Sequence, residues 1–113
     1  MAHLLLLLRH AKSSWDDASK PDHDRPLAPR GHRAAERVGA HLRASDHRPD
    51  LVLCSTSRRT RETLERLGLG GTDVRMEDRL YAADDETLLE RVRELPEDVG
   101  AVLVVAHNPG LTW

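Results

Sequence analysis

"LLLLLRH", residues 4–10, and "VLVVAHN", residues 102–108, decide the fold between them. Each is a short, unbroken apolar run; the first ends in Arg9 and His10, the second in His107. Apolar runs without alternation suit strands covered on both faces, as in a parallel sheet with helices above and below. "DLVLC", residues 50–54, is a third such run, and residues 73–76 form a weaker fourth.

The segments between these runs read as helices. "RGHRAAERVGAHLRA", residues 30–44, sets Ala34, Ala35, Val38 and Leu42 on one face at helical spacing. Gly39 weakens this helix by about 1 kcal/mol relative to alanine. "STSRRTRETLERLGLGG", residues 55–71, predicts a helix capped by Ser55 or Ser57, with Leu64 and Leu67 inward and Gly68, Gly70 and Gly71 at its end. Residues 85–95 predict a third helix through Leu88, Leu89, Val92 and Leu95, stopped by Pro96. Residues 11–29 read as a long loop, and "HNPGLTW", residues 107–113, opens a further helix. Strands alternating with helices define an α/β protein: a three-layer sandwich around a mostly parallel central sheet. Ligands of such sheets sit beyond the carboxyl ends of the strands. Arg9, His10 and His107 all fall there.

The length of 113 residues allows one domain. Phe is absent and only three aromatics occur, so Leu, Val and Ala must build the core. The net charge of −2 argues against a nucleic-acid partner. Charge is unevenly spread: residues 1–66 hold 13 Lys+Arg against 9 acids, and residues 67–113 hold 4 against 10. That asymmetry points to a local anion site. The single Cys54 rules out an internal disulfide and suits a reducing compartment. Five leucines cannot span a bilayer, and no secretory pattern precedes them. The expectation is a cytoplasmic protein with no membrane partner.

The strand ends carry the chemistry. An arginine such as Arg9 offers a planar fork of donors that suits phosphate or carboxylate. A neutral histidine beside a phosphoryl group can attack phosphorus. The same pair also reads as a plain strand cap. Arg58, Arg59 and Arg61 crowd a helix N-terminus, where free N–H groups and the dipole favour an anion. Their plain alternative is a solvated face paired with Glu62 and Glu65. A cysteine-phosphatase loop would need an arginine six positions after Cys54, but Thr60 stands there. Cys54 therefore reads as a buried core thiol. The seven histidines show no metal-ligand spacing, and His32 and His41 read as helix surface.

"LLLLLRHAKSSW", "RPLAPRGHRAA", "LVLCSTSRRTRET" and "VLVVAHNPGL" occur in this order along the chain. The ordered set resembles the histidine phosphatase (phosphoglycerate-mutase-like) superfamily, and most of all its small SixA-like phosphohistidine phosphatase branch. The resemblance implies that His10 is the nucleophile and that Arg9 holds the phosphoryl oxygens. The family's second arginine lies in a Ser-Pro-x-x-Arg-x-x-Gln-Thr type of segment. Matching Ser55 and Thr63 puts it at Arg59, with Thr56 where Pro is usual and Glu62 where Gln is usual. The second histidine matches His107. His10 must be neutral to attack, whereas His107 can donate to phosphate in its charged form.

Such enzymes use no metal, so no cofactor is expected. Larger members carry a general-acid glutamate. The corresponding region, "LYAADDETLL", offers Asp84, Asp85 and Glu86 without a clear match. An imidazole leaving group tolerates that absence, which favours protein phosphohistidine as substrate over a small phosphomonoester. Relatives continue past the second histidine with a helix and at least one strand. Residues 1–113 are thus expected to be a single phosphoglycerate-mutase-like domain lacking the C-terminal helix and strand. A small-molecule phosphomonoesterase and an inactive phosphate-binding module are the alternatives.

Overall fold

Every residue of β2 (Leu51–Ser55) is buried. A strand so placed must have partners on both edges and cover on both faces. The structure is a computed structural model that describes residues 4–8, 24, 26–45, 48–81 and 84–106. Its remaining elements are β1 (Leu4–Leu8), α1 (Pro29–Ala44), α2 (Arg58–Leu67), β3 (Asp73–Glu77), a 3-10 turn at Asp78–Leu80, α3 (Asp85–Arg93) and β4 (Ala101–Val105). The four strands form one parallel sheet in the order β1-β4-β2-β3. The predicted α/β class and parallel sheet hold.

Alternation along the buried strands sorts the core into two layers. Val52 and Cys54 of β2, with Leu103 and Val105 of β4, pack against Ala35 and Leu42 of α1 and against Leu67 and Leu69. Leu51 and Leu53, with Val102, Val104 and Ala106, pack on the opposite face against Leu80, Leu88 and Leu95. The topology explains this division. β1→β2→β3 advances across the sheet, and β3→β4 returns. Right-handed crossovers put the advancing helices on one face and the returning helix on the other.

Local chemistry sets the helix ends. Pro29 opens α1, a position where its missing N–H costs nothing. Ser57 caps α2 by accepting from the Thr60 N–H. Gly68 closes α2 with φ 65°, and its N–H bonds to the Glu65 carbonyl. The Arg43 guanidinium of α1 also caps this end through the Leu67 carbonyl.

Three expectations change in detail. The buried stripe of α1 is Gly31, Ala35, Gly39 and Leu42, and Ala34 is exposed. Gly39 is a packing residue: a Cβ there would strike the Leu67 carbonyl and come within 2.7 Å of the Leu67 Cα. The weak strand runs one residue further, to Glu77, and lies at a sheet edge with Val74 and Met76 exposed. Among the described residues no helix is long and apolar enough to cross a membrane.

Candidate active site

The strand register brings the carboxyl ends level. Leu8 pairs with Val105, Val105 with Cys54, and Cys54 with Met76. This row crosses the whole sheet. Immediately beyond it the chain continues into Arg9-His10 from β1, into Ala106-His107 from β4, and into the Ser55–Ser57 turn from β2. Arg9, His10 and His107 lie outside the described residues, as does most of the 11–29 loop. Each histidine follows its partnered strand residue, Leu8 or Val105, by two positions in the sequence.

Arg59 is described, and its placement separates it from its neighbours. It sits in the first turn of α2 and is only 2% exposed. Arg58 is half-buried and pairs with Glu62 at 3.4 Å. Arg61 is exposed and donates through Nε to the Thr56 carbonyl at 3.1 Å. The solvated-face reading therefore fits Arg58 and Arg61 and fails for Arg59. No acid lies in the first turn of α2 to neutralise the helix end.

The turn that delivers Arg59 is built from buried hydroxyls. Ser55, Ser57, Thr60 and Thr63 are all buried. The Thr60 hydroxyl lies 2.7 Å from Ser57 Oγ and 2.7 Å from the Ser55 carbonyl. Thr63 Oγ1 donates to the carbonyl of Arg59 itself at 2.7 Å. Two outer contacts brace the same turn. Thr56 Oγ1 donates to Asp78 Oδ1 at 2.5 Å, and Glu62 Oε1 accepts the Leu27 N–H at 2.9 Å. Thus Thr56 and Glu62, which depart from the family pattern, both make specific contacts. The sequence offered Ser55 or Ser57 as the cap, of which the structure uses Ser57, and it gave no sign of Thr60.

Other candidates resolve clearly. Cys54 lies beneath this turn with no exposure, and burial pushes its thiol up to about 12. It stays protonated and donates weakly to the Ser55 carbonyl at 3.3 Å, so it is a core thiol. Asp84 caps α3 by accepting the Thr87 N–H at 2.9 Å. That backbone hydrogen bond holds its carboxyl below the ordinary aspartate range, the wrong direction for a proton donor. Glu86 is exposed. His32 departs from its predicted surface role: it is half-buried in the first turn of α1, and its buried Nδ1 has no partner among the described residues. No three His, Cys, Asp or Glu side chains gather as a metal site among the described residues.

A buried arginine thus stands in the first turn of α2, just past the carboxyl end of β2 in a parallel α/β sheet. Residues 5–84 match the histidine phosphatase superfamily (branch 1), and the chain belongs to that family. An uncharacterized protein of Mycobacterium tuberculosis is 45% identical over 102 residues, which is 90% of this chain and 63% of that protein. A provisionally named phosphohistidine phosphatase SixA of Nakamurella multipartitia matches with TM-score 0.81 and 44% identity, over 93% of this chain and 59% of its own. The protein histidine phosphatase SixA, solved with tungstate, matches with TM-score 0.77 and 27% identity, over 93% of this chain and 69% of its own. The chain thus spans about three-fifths of the length of the mycobacterial relative.

Proposed function

We propose that this chain carries the phosphoryl-transfer site of a phosphatase that works through a phosphohistidine. The observation that carries this reading is the level row Leu8–Val105–Cys54, with buried Arg59 just beyond it. Adjacent parallel strands lie about 4.8 Å apart. His10 and His107 each follow a partnered strand residue by two positions in the sequence, which supports the reading that they share one phosphoryl group. In the proposed reaction a neutral His10 nitrogen attacks phosphorus. The bond from phosphorus to the leaving group breaks, and the leaving group takes up a proton. Water then cleaves the P–N bond, releasing inorganic phosphate and restoring His10. Arg9, Arg59 and His107 stabilise the equatorial oxygens, the dominant need in phosphoryl transfer. No step calls for a metal.

Protein phosphohistidine is the proposed substrate class. An imidazole leaving group asks less of a general acid than an alkoxide does. Asp84, bound as a helix cap with a lowered pKa, supports a site with little acid help. The SixA named with tungstate, an oxyanion with phosphate's tetrahedral shape, is a second support.

The test uses the purified chain and a labelled small phosphodonor. A phosphoryl–protein bond that is acid-labile and base-stable is expected, and His10→Ala should abolish it. Label that persists in His10→Ala, or survives acid, would overturn the mechanism. Binding of phosphate without any turnover would instead support the inactive binding module.

A further inference from the structure

The turn between β2 and α2 holds more buried hydroxyls than a helix cap needs. Ser57 alone caps the helix by accepting the Thr60 N–H at 3.4 Å. Yet the Thr60 side chain is also fully buried, with its Oγ1 2.7 Å from Ser57 Oγ, 2.7 Å from the Ser55 carbonyl and 2.9 Å from the Ser57 carbonyl. Each hydroxyl has one proton to give. The consistent assignment has Ser57 donating to Thr60 Oγ1 and Thr60 donating to the carbonyls behind it. The first turn of α2 is thereby tied back to the last residue of β2. On the far side of Arg59, Thr63 holds the Arg59 carbonyl at 2.7 Å. The backbone that carries Arg59 is pinned from both directions.

We propose that Thr60 is a positioning residue for Arg59, its buried hydroxyl fixing where the guanidinium leaves the helix at the carboxyl edge of the sheet. The inference rests on Arg59 acting on phosphoryl oxygens as proposed above. Valine would fill the same volume with no polar group to satisfy. A fully satisfied buried network fixes geometry more than it adds stability. Fixed geometry is what electrostatic stabilisation of a transferring group requires. Thr60 also stands at an open position of the Ser-Pro-x-x-Arg-x-x-Gln-Thr pattern, so this role belongs to the chain's own chemistry.

Thr60→Val, Thr60→Ser, Arg59→Ala and the double variant Arg59→Ala/Thr60→Val test it by two readouts. The first is the NMR signal of the Arg59 Nε–H, assigned by its loss in Arg59→Ala. It should exchange with water at least about tenfold faster in Thr60→Val while backbone amides report a folded chain, and Thr60→Ser should keep it slow. The second is turnover. Thr60→Val should lower kcat about tenfold with a smaller change in KM, Thr60→Ser should stay near the parent, and Thr60→Val should add nothing once Arg59 is alanine. Thr60→Ala serves as the apolar variant where valine does not fold. An unchanged Nε–H signal in Thr60→Val overturns the inference. So does an equal loss of turnover with and without Arg59, which marks general damage to the fold. A parent chain that lacks turnover but keeps a Thr60-dependent signal sinks the phosphatase reading and leaves the positioning role standing.

Discussion

Arg58 and Arg59 are neighbours in the sequence and differ in every physical respect that matters. Arg58 reaches half into solvent and pairs with Glu62 one turn on, a contact that contributes little. Arg59 is buried at the edge where the strands end. A buried donor aimed at developing charge acts in a low dielectric, where its loss is felt most. Arg59→Ala should therefore lower kcat/KM by about 10²–10³-fold, and Arg58→Ala by less than about threefold. Steady-state kinetics on a phosphodonor substrate checks this, and the opposite ranking would move the site to Arg58. Family spacing selected Arg59, whereas composition treated all three arginines alike. Which arginine turns inward depends on Ser57 starting the helix, a choice that the sequence left open between Ser55 and Ser57.

At the scale of elements, Gly39 shows where local and non-local rules collide. Helix propensity predicts that Gly39→Ala stabilises α1 by about 1 kcal/mol. The structure reverses the sign. A Cβ at Gly39 would meet the carbonyl, carbonyl carbon and Cα of Leu67, and backbone cannot swing aside as a side chain can. The two helices must separate, and the Arg43 cap on the Leu67 carbonyl loosens with them. Gly39→Ala should destabilise the chain by about 1–3 kcal/mol net, read from thermal or urea unfolding. A more stable variant would show that α1 and α2 sit further apart than described. The elements themselves were legible because their apolar periods differ. The close approach of α1 to α2 was not, because its partner lies 28 positions away and is a backbone group.

At the scale of the molecule, the parallel sheet followed from apolar runs spaced by helices, but the strand order did not. Nothing in "AVLVVA" says that it inserts between β1 and β2. That insertion makes Leu8 and Val105 partners. The charge network that ties the returning half to the sheet was equally silent in the sequence. Arg91 of α3 grips Glu77 at the end of β3 with two bonds, at 2.7 and 2.8 Å. Arg79 joins Glu94, the residue that caps the end of α3, at 2.8 Å. Arg91 is buried, so its Glu77 partner offsets the cost of taking its permanent charge out of water. The Arg91 hydrogen bonds hold the Glu77 carboxyl below its ordinary 4.5. A carboxyl whose pKa is lowered by folding stabilises the folded state fully above its unfolded pKa, and the benefit is lost as pH falls through the folded value. Glu77→Gln should therefore destabilise the chain at pH 7 by about 1–2 kcal/mol, since charged hydrogen bonds give way to neutral ones. The gap between parent and variant should stay constant down to about pH 5 and close progressively below it, because protonated glutamate resembles glutamine. Melting temperatures of both proteins across pH 3–7 decide the matter. A gap independent of pH would mean that Glu77 contributes through packing, and that the returning half is held to the sheet without this ion pair.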